Sequence, residues 1–150
     1  MSALKDTLNQ STKEAMKARD KNRVATLRMV NAEVKRIEVD ERRALSDDDV
    51  FAVLNKMLKQ RKDALQQFQA ADRQDLAAIE AYEIGVIEEF LPAQMEDEEL
   101  AAFITGLVSQ SGAQGIQDMG KVMGLLKSQG QGRVDMGKAS AMVKTQLGNL

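Results

Sequence analysis

Hydrophobic residues recur every three or four positions through the first ninety residues, in four runs that are each long enough for a helix. This spacing places the apolar side chains on one face and predicts amphipathic α-helices. No run alternates apolar and polar residues for long enough to predict a strand. The inward-facing residues predicted on the four helices are Leu4, Leu8, Ala15 and Met16; Val24, Leu27, Val30, Val34 and Ile37; Val50, Val53, Leu54, Met57, Leu58, Leu65 and Phe68; and Leu76, Ile79, Val86, Ile87, Phe90 and Leu91.

Polar residues mark where the third and fourth helices begin and end. Ser46 can accept a hydrogen bond from a first-turn N–H, and three aspartates follow it where the helix dipole favours negative charge. The fourth helix begins near residues 72–75, and Pro92 ends it because proline cannot continue the backbone hydrogen-bond pattern. The first part of the chain is therefore predicted to be a four-helix domain.

The glycine content changes at Pro92, since nine of the ten glycines follow it. A charged first turn at residues 96–99 then opens a helix with apolar residues at Leu100, Phe103, Ile104, Leu107 and Val108. Asp118 and Asp135 each follow a glycine-containing loop and are predicted to cap two further short helices. The prediction is an all-α protein in two domains, a four-helix domain over residues 1–92 and a three-helix tail over residues 93–150.

Composition removes most catalytic chemistry. The chain has no cysteine and no histidine, so it lacks disulfides, thiolate ligands and the commonest general base. No phosphate-binding loop, nucleophile elbow or paired-histidine metal motif is present. The acidic runs at residues 47–49 and 96–99 lie at helix starts, where their negative charge interacts favourably with the helix dipole. We predict no catalytic residues, no metal site and no cofactor.

The location is predicted by elimination. The amino terminus carries an acid and no apolar run, unlike a secretion signal. The longest uncharged stretch, residues 100–117, contains loop glycines and is not expected to span a membrane. We therefore expect a cytoplasmic protein without a membrane partner.

Charge is unevenly distributed, although the net charge is only −2. Residues 13–36 carry eight bases and three acids, whereas residues 72–91 carry six acids and one base. Ion pairing between neighbouring helices explains this best. A further basic cluster on the third helix indicates either a polar outer face or a surface for RNA or protein, and it consists of Lys56, Lys59, Arg61 and Lys62.

The most distinctive segment is residues 118–124, with the sequence DMGKVMG. Gly120 and Gly124 share one helix face, and each glycine costs about 1 kcal/mol relative to alanine inside a helix. The two explanations are close packing against a neighbouring helix, or a smooth face for a nucleic-acid backbone with Lys121 at its edge. After Glu99 the chain has five bases and two acids, a balance that favours phosphate binding. The predicted nucleic-acid-binding residues are Gly120, Lys121, Gly124, Lys127, Arg133, Lys138 and Lys144.

These segments resemble the GatB/YqeY family. The most specific is DMGKVMG at residues 118–124, together with LPAQ at 91–94, EEL at 98–100 and GRVD at 132–135. Residues 29–31, KQRKD at 59–63 and ADRQDL at 71–76 look like the stand-alone YqeY branch, so the resemblance covers nearly the whole chain. The chain departs from the family pattern after Asp135, where Met136 stands in place of the usual glycine.

The resemblance implies a binding function. In the B subunit of the glutamine-dependent tRNA amidotransferase, a similar tail grips the tRNA and does no chemistry. The ATP-using domain and the glutaminase subunit have no counterpart in this sequence. The resemblance therefore implies a non-catalytic accessory protein that binds tRNA or joins a tRNA-handling complex. The alternatives are a part in glutamine-dependent carbon–nitrogen ligation within a complex, or a protein-binding adaptor.

Overall fold

The computed structural model describes residues 2–150, and within that range the chain forms seven α-helices, one 3-10 turn and no strand. The predicted all-α fold is confirmed. The helices are α1 (Ala3–Lys17), α2 (Lys21–Glu41), α3 (Asp47–Ala70), α4 (Gln74–Glu88), α5 (Asp97–Ser111), α6 (Met119–Gln129) and α7 (Met136–Gly148), with the 3-10 turn at Ile116–Asp118.

The helices fall into two compact units that divide between Leu91 and Pro92. The first unit contains α1 to α4, and the second contains α5 to α7. That each unit folds as an independent domain stays a prediction.

The core of the first unit is aliphatic and is centred on α2 and α3. Its largest fully buried side chains include Leu8, Leu27, Leu54 and Ile87, all predicted to face inward. The start of α3 is a capping box, in which Ser46 accepts from the Asp49 N–H and the Asp49 side chain accepts from the Ser46 N–H. The predicted cap at Ser46 is confirmed.

Two residues predicted to be inward-facing are exposed, namely Met16 at 48% and Ile79 at 54%. The inner face of α4 instead carries a glutamate, Glu83, whose carboxylate accepts a hydrogen bond from Arg61 of α3 at 2.9 Å. Both side chains are largely buried, so α4 carries an inward-facing charge that the apolar spacing did not indicate. Ile79, one helical turn before Glu83, borders an open groove beside α2 and lies outside the core.

The core of the second unit joins all three helices of the tail. Its buried residues are Leu100, Ile104, Leu107, Val122, Leu126, Val134, Ala139, Val143 and Leu147. The Asp135 side chain accepts from the N–H groups of Gly137 and Lys138, so the predicted cap of α7 is confirmed. Asp118 occupies the N-cap position of α6 as predicted, but its carboxylate accepts from the Gln114 N–H at 2.9 Å, so the start of α6 has no side-chain cap hydrogen bond.

Candidate nucleic-acid interface

The outer face of α6 is open to solvent at the two glycines that were predicted to bind nucleic acid. Gly120 and Gly124 are exposed, while Val122 and Leu126 bury the opposite side of the same helix. A Cβ atom added to either glycine would meet no neighbouring atom within 4 Å. Packing against a neighbouring helix therefore does not account for the two glycines. They lower the stability of α6 at positions that face open space.

Two lysines of the predicted set are available for binding. Lys121 lies between the two glycines in sequence and is exposed, and Lys144 is exposed on α7. Neither ammonium group makes a hydrogen bond or an ion pair within the part of the chain that the structure describes. Both are free to approach a phosphate.

Arg133 holds the second unit together through its side chain and its backbone. Its Nε donates to the Ala93 carbonyl at 2.8 Å, and its Nη2 donates to Glu99 Oε1 at 2.9 Å. The Met95 N–H donates to the Arg133 carbonyl at 2.8 Å, and the Gln94 side chain donates to the Gly132 carbonyl at 2.8 Å. The guanidinium is thus already occupied in tying the loop between α6 and α7 to the segment before α5.

The remaining predicted cations also have partners. Lys138 donates to Asp97 at 2.8 Å, and this hydrogen bond raises the pKa of the lysine above its ordinary value. Both side chains of that pair are exposed, so the pair is weak and can open to a competing anion. Lys127 also takes part in an interaction. The structure therefore separates the predicted set into two free and three engaged cations.

The basic cluster predicted on α3 does not form one exposed surface. Lys56, Lys59 and Lys62 are exposed, but Arg61 turns toward α4. Besides its bond to Glu83, Arg61 donates to the Met57 carbonyl at 3.1 Å. Its guanidinium therefore makes hydrogen bonds within the first unit and is not part of an exposed basic surface.

A half-buried glutamate next to this ion pair was not predicted from the sequence. Glu80 Oε2 is buried and has no hydrogen-bond partner among residues 2–150. Burial raises the pKa of Glu80, the neighbouring charge of Glu83 raises it further, and the charge of Arg61 opposes both effects. Only its position on the inner side of α4 could have signalled this environment.

An apolar groove between α2 and α4 was also missed. It has a volume of about 390 Å³ and is bordered by Ile79 and by Tyr82, which is 39% exposed. Its remaining lining is Asn22, Ala25, Thr26, Ala78 and Glu83. Two large apolar side chains beside a groove are typical of a surface that contacts another molecule.

Residues 2–150 contain neither a metal-binding group nor a membrane-spanning helix. Over residues 2–150, no three acidic side chains come close enough together to form a metal-binding group. Within that range, no helix combines the length and the apolar character needed to cross a bilayer.

These features define an all-α protein of two helical units, with an exposed glycine-and-lysine face on the second. The family model of the YqeY-like proteins matches residues 5–147. The chain belongs to the YqeY-like family.

Three relatives show how the similarity is distributed. An uncharacterized protein of Schizosaccharomyces pombe is 34% identical over 89 residues, which are 59% of this chain and 72% of the relative. The mitochondrial protein named altered inheritance of mitochondria protein 41 is 32% identical in Clavispora lusitaniae over 110 residues, with 72% of this chain and 64% of the relative covered. Its counterpart in Meyerozyma guilliermondii is 35% identical over 134 residues, with 81% and 65% covered. The chain thus spans less than two thirds of these mitochondrial relatives.

The relatives contradict the expected cytoplasmic location, because several of them are named as mitochondrial proteins. The expectation rested on the lack of a secretion signal and of a membrane span. Neither property distinguishes the cytoplasm from the interior of a mitochondrion, so the elimination was incomplete.

Proposed function

We propose that this protein is a non-catalytic accessory factor that binds tRNA through the outer face of α6. The observation that carries the proposal is the open space beside Gly120 and Gly124. Glycines that no packing contact requires, on a helix that they weaken, are best explained by a ligand that must approach the backbone closely.

The charge of the tail supports a phosphate ligand. Lys121 stands beside the glycine face without a partner, and the exposed pair of Lys138 and Asp97 can release a further cation. Phosphate contacts position a nucleic acid without reading its sequence, and lysine provides such contacts as a point charge. The family resemblance to the tail of the amidotransferase B subunit favours tRNA as the nucleic acid.

A substitution by a bulky residue tests the glycine face directly. Gly124→Leu is expected to abolish tRNA binding, measured by fluorescence anisotropy, because the side chain would keep the phosphate backbone away from the helix. The fold should survive, since a Cβ atom at this position meets no neighbour within 4 Å and leucine is a better helix former than glycine. Gly106→Leu is the matched control, because Gly106 is an exposed helical glycine of the same unit with equally open surroundings. Equal binding by the two variants would overturn the proposal.

A protein-binding adaptor is the second candidate, and the groove between α2 and α4 favours it. Ile79 and Tyr82 offer apolar contact area, and Tyr82 adds a hydroxyl group for a hydrogen bond. In this case Ile79→Ser would prevent capture of a partner protein, whereas Gly124→Leu would not. Under the first proposal, Gly124→Leu would prevent tRNA binding, whereas Ile79→Ser would not.

A further inference from the structure

The pairing of α1 with α2 creates a second groove, which has a polar lining. Lys5 forms an ion pair with Glu38, and Asn31 Nδ2 donates to Thr12 Oγ1 at 2.9 Å. These two contacts set an antiparallel register. A groove of about 320 Å³ runs beside this interface, lined by Lys5, Leu8, Asn9, Asn31, Val34, Lys35 and Glu38. Its volume lies at the lower end of the range for small-molecule sites.

The floor and the walls of the groove differ in chemistry. Leu8 and Val34 close the floor and are almost fully buried, at 1% and 4% exposure. Asn31 uses one amide hydrogen for Thr12, which leaves its carbonyl oxygen and its second amide hydrogen available. The Asn9 side chain makes no hydrogen bond within residues 2–150. Two amides with free donors and acceptors thus line the groove beside Lys35.

The charge of the groove is positive. The Glu38 carboxylate is held by Lys5 and also accepts the Leu45 N–H at 2.8 Å. Lys35 is exposed and makes no ion pair within the described part of the chain. Two ammonium groups therefore face one carboxylate, and Lys35 carries the charge that is left without a counterpart.

We propose that this groove binds a nucleotide. Lys35 contacts its phosphate, and the amides of Asn9 and Asn31 bond to the polar edge of its base. An asparagine amide offers a donor and an acceptor side by side, which matches the edge of a base. The ligand is either a free mononucleotide or one nucleotide of an RNA strand, since both have the same chemistry. This inference does not rest on the function proposed for the tail, because the groove lies wholly in the first unit.

Nuclear magnetic resonance of the 150-residue chain tests this inference. The side-chain amide signals of Asn9 and Asn31 are followed while a mononucleotide, a short single-stranded RNA or inorganic phosphate is added at up to millimolar concentration. We expect both signals to shift with a nucleotide. A shift with the mononucleotide identifies the free ligand, and a shift with the strand alone identifies RNA. Phosphate alone should bind more weakly and leave the amide signals in place.

Substitutions then connect the shifts to the groove. Lys35→Gln should weaken binding about tenfold, as expected for the loss of one charge-assisted contact. Asn9→Ala should weaken the nucleotide but not phosphate, while Lys13→Gln, which changes an exposed lysine of α1 outside the groove, serves as the matched control. Absence of shifts with every nucleotide probe would overturn the proposal. Equal affinity for phosphate alone, or tighter binding of a polyglutamate peptide with the same dependence on Lys35, would do so as well.

Discussion

Arg133 Nη2 donates to Glu99 Oε1 at 2.9 Å, so the loop between α6 and α7 is attached to the first turn of α5. The same guanidinium bonds to the Ala93 carbonyl through Nε. One planar side chain thus fixes two points of the chain at once, a geometry that a lysine ammonium does not reproduce.

Arg133→Ala is accordingly expected to destabilise the second unit by about 1–2 kcal/mol, as measured by chemical unfolding. Arg133→Lys should recover little of this loss. Lys138→Ala is the control, because it breaks only the exposed pair with Asp97 and should cost less than about 0.5 kcal/mol. Full stability of Arg133→Ala would show that the two hydrogen bonds contribute nothing.

Substitution on the open glycine face is expected to raise the stability of the protein, in contrast to substitution of Arg133. Gly124→Ala should stabilise the protein by up to about 1 kcal/mol, since alanine is the better helix former and its Cβ has space. Gly106→Ala should do the same. Only Gly124→Ala should weaken tRNA binding as well. That result would show that glycine at position 124 lowers the stability of the helix but is needed for binding. A loss of stability in Gly124→Ala would restore the packing explanation.

Glu80 predicts an unusual dependence of stability on pH. Its pKa is raised in the folded state, so the native protein binds more protons than the unfolded chain between the ordinary glutamate pKa and the raised one. The contribution of Glu80 to the free energy of unfolding therefore falls as the pH rises through that window. Glu80→Gln should be more stable than the wild type at neutral pH, by a few tenths to about 1 kcal/mol, and the difference should vanish in acid. Glu88→Gln, which changes an exposed glutamate of the same helix, is the comparison. An equal difference at all pH values would rule out titration of Glu80 as its source.

The boundary between the two units predicts where proteases cut. Residues 91–98 contain no helix until Asp97, and the loop at residues 112–117 contains two glycines. Limited proteolysis followed by mass spectrometry should find the first cuts in these two segments. Early cleavage within α2 would contradict the four-helix organisation of the first unit.

The helices and most of the core could be predicted because apolar spacing and caps are local properties of the sequence. Leu27, Val30 and Val34 are buried as their spacing indicated. Ile79 could not be placed, because the spacing does not show which part of α4 another helix covers, and Ile79 lies beside an open groove between α2 and α4. The spacing also did not indicate the ion pair between Arg61 and Glu83.

The candidate site was predicted in part for the same reason. The glycines at positions 120 and 124 were visible in the sequence, but only the three-dimensional surroundings show that their face is open. Lys121 and Arg133 looked equivalent as cations. Their difference arises from the contact of Arg133 with Glu99, which joins residues 34 positions apart.

The central claim is that the outer face of α6 binds tRNA through phosphates, and the salt dependence of binding tests it most directly. With two to four phosphates contacted, a plot of log affinity against log salt should have a slope of about −1.5 to −3. Lys121→Gln should make that slope shallower by about one unit, while Lys62→Gln should leave it unchanged. An affinity that does not change with salt, or a slope that Lys121→Gln leaves intact, would contradict the account.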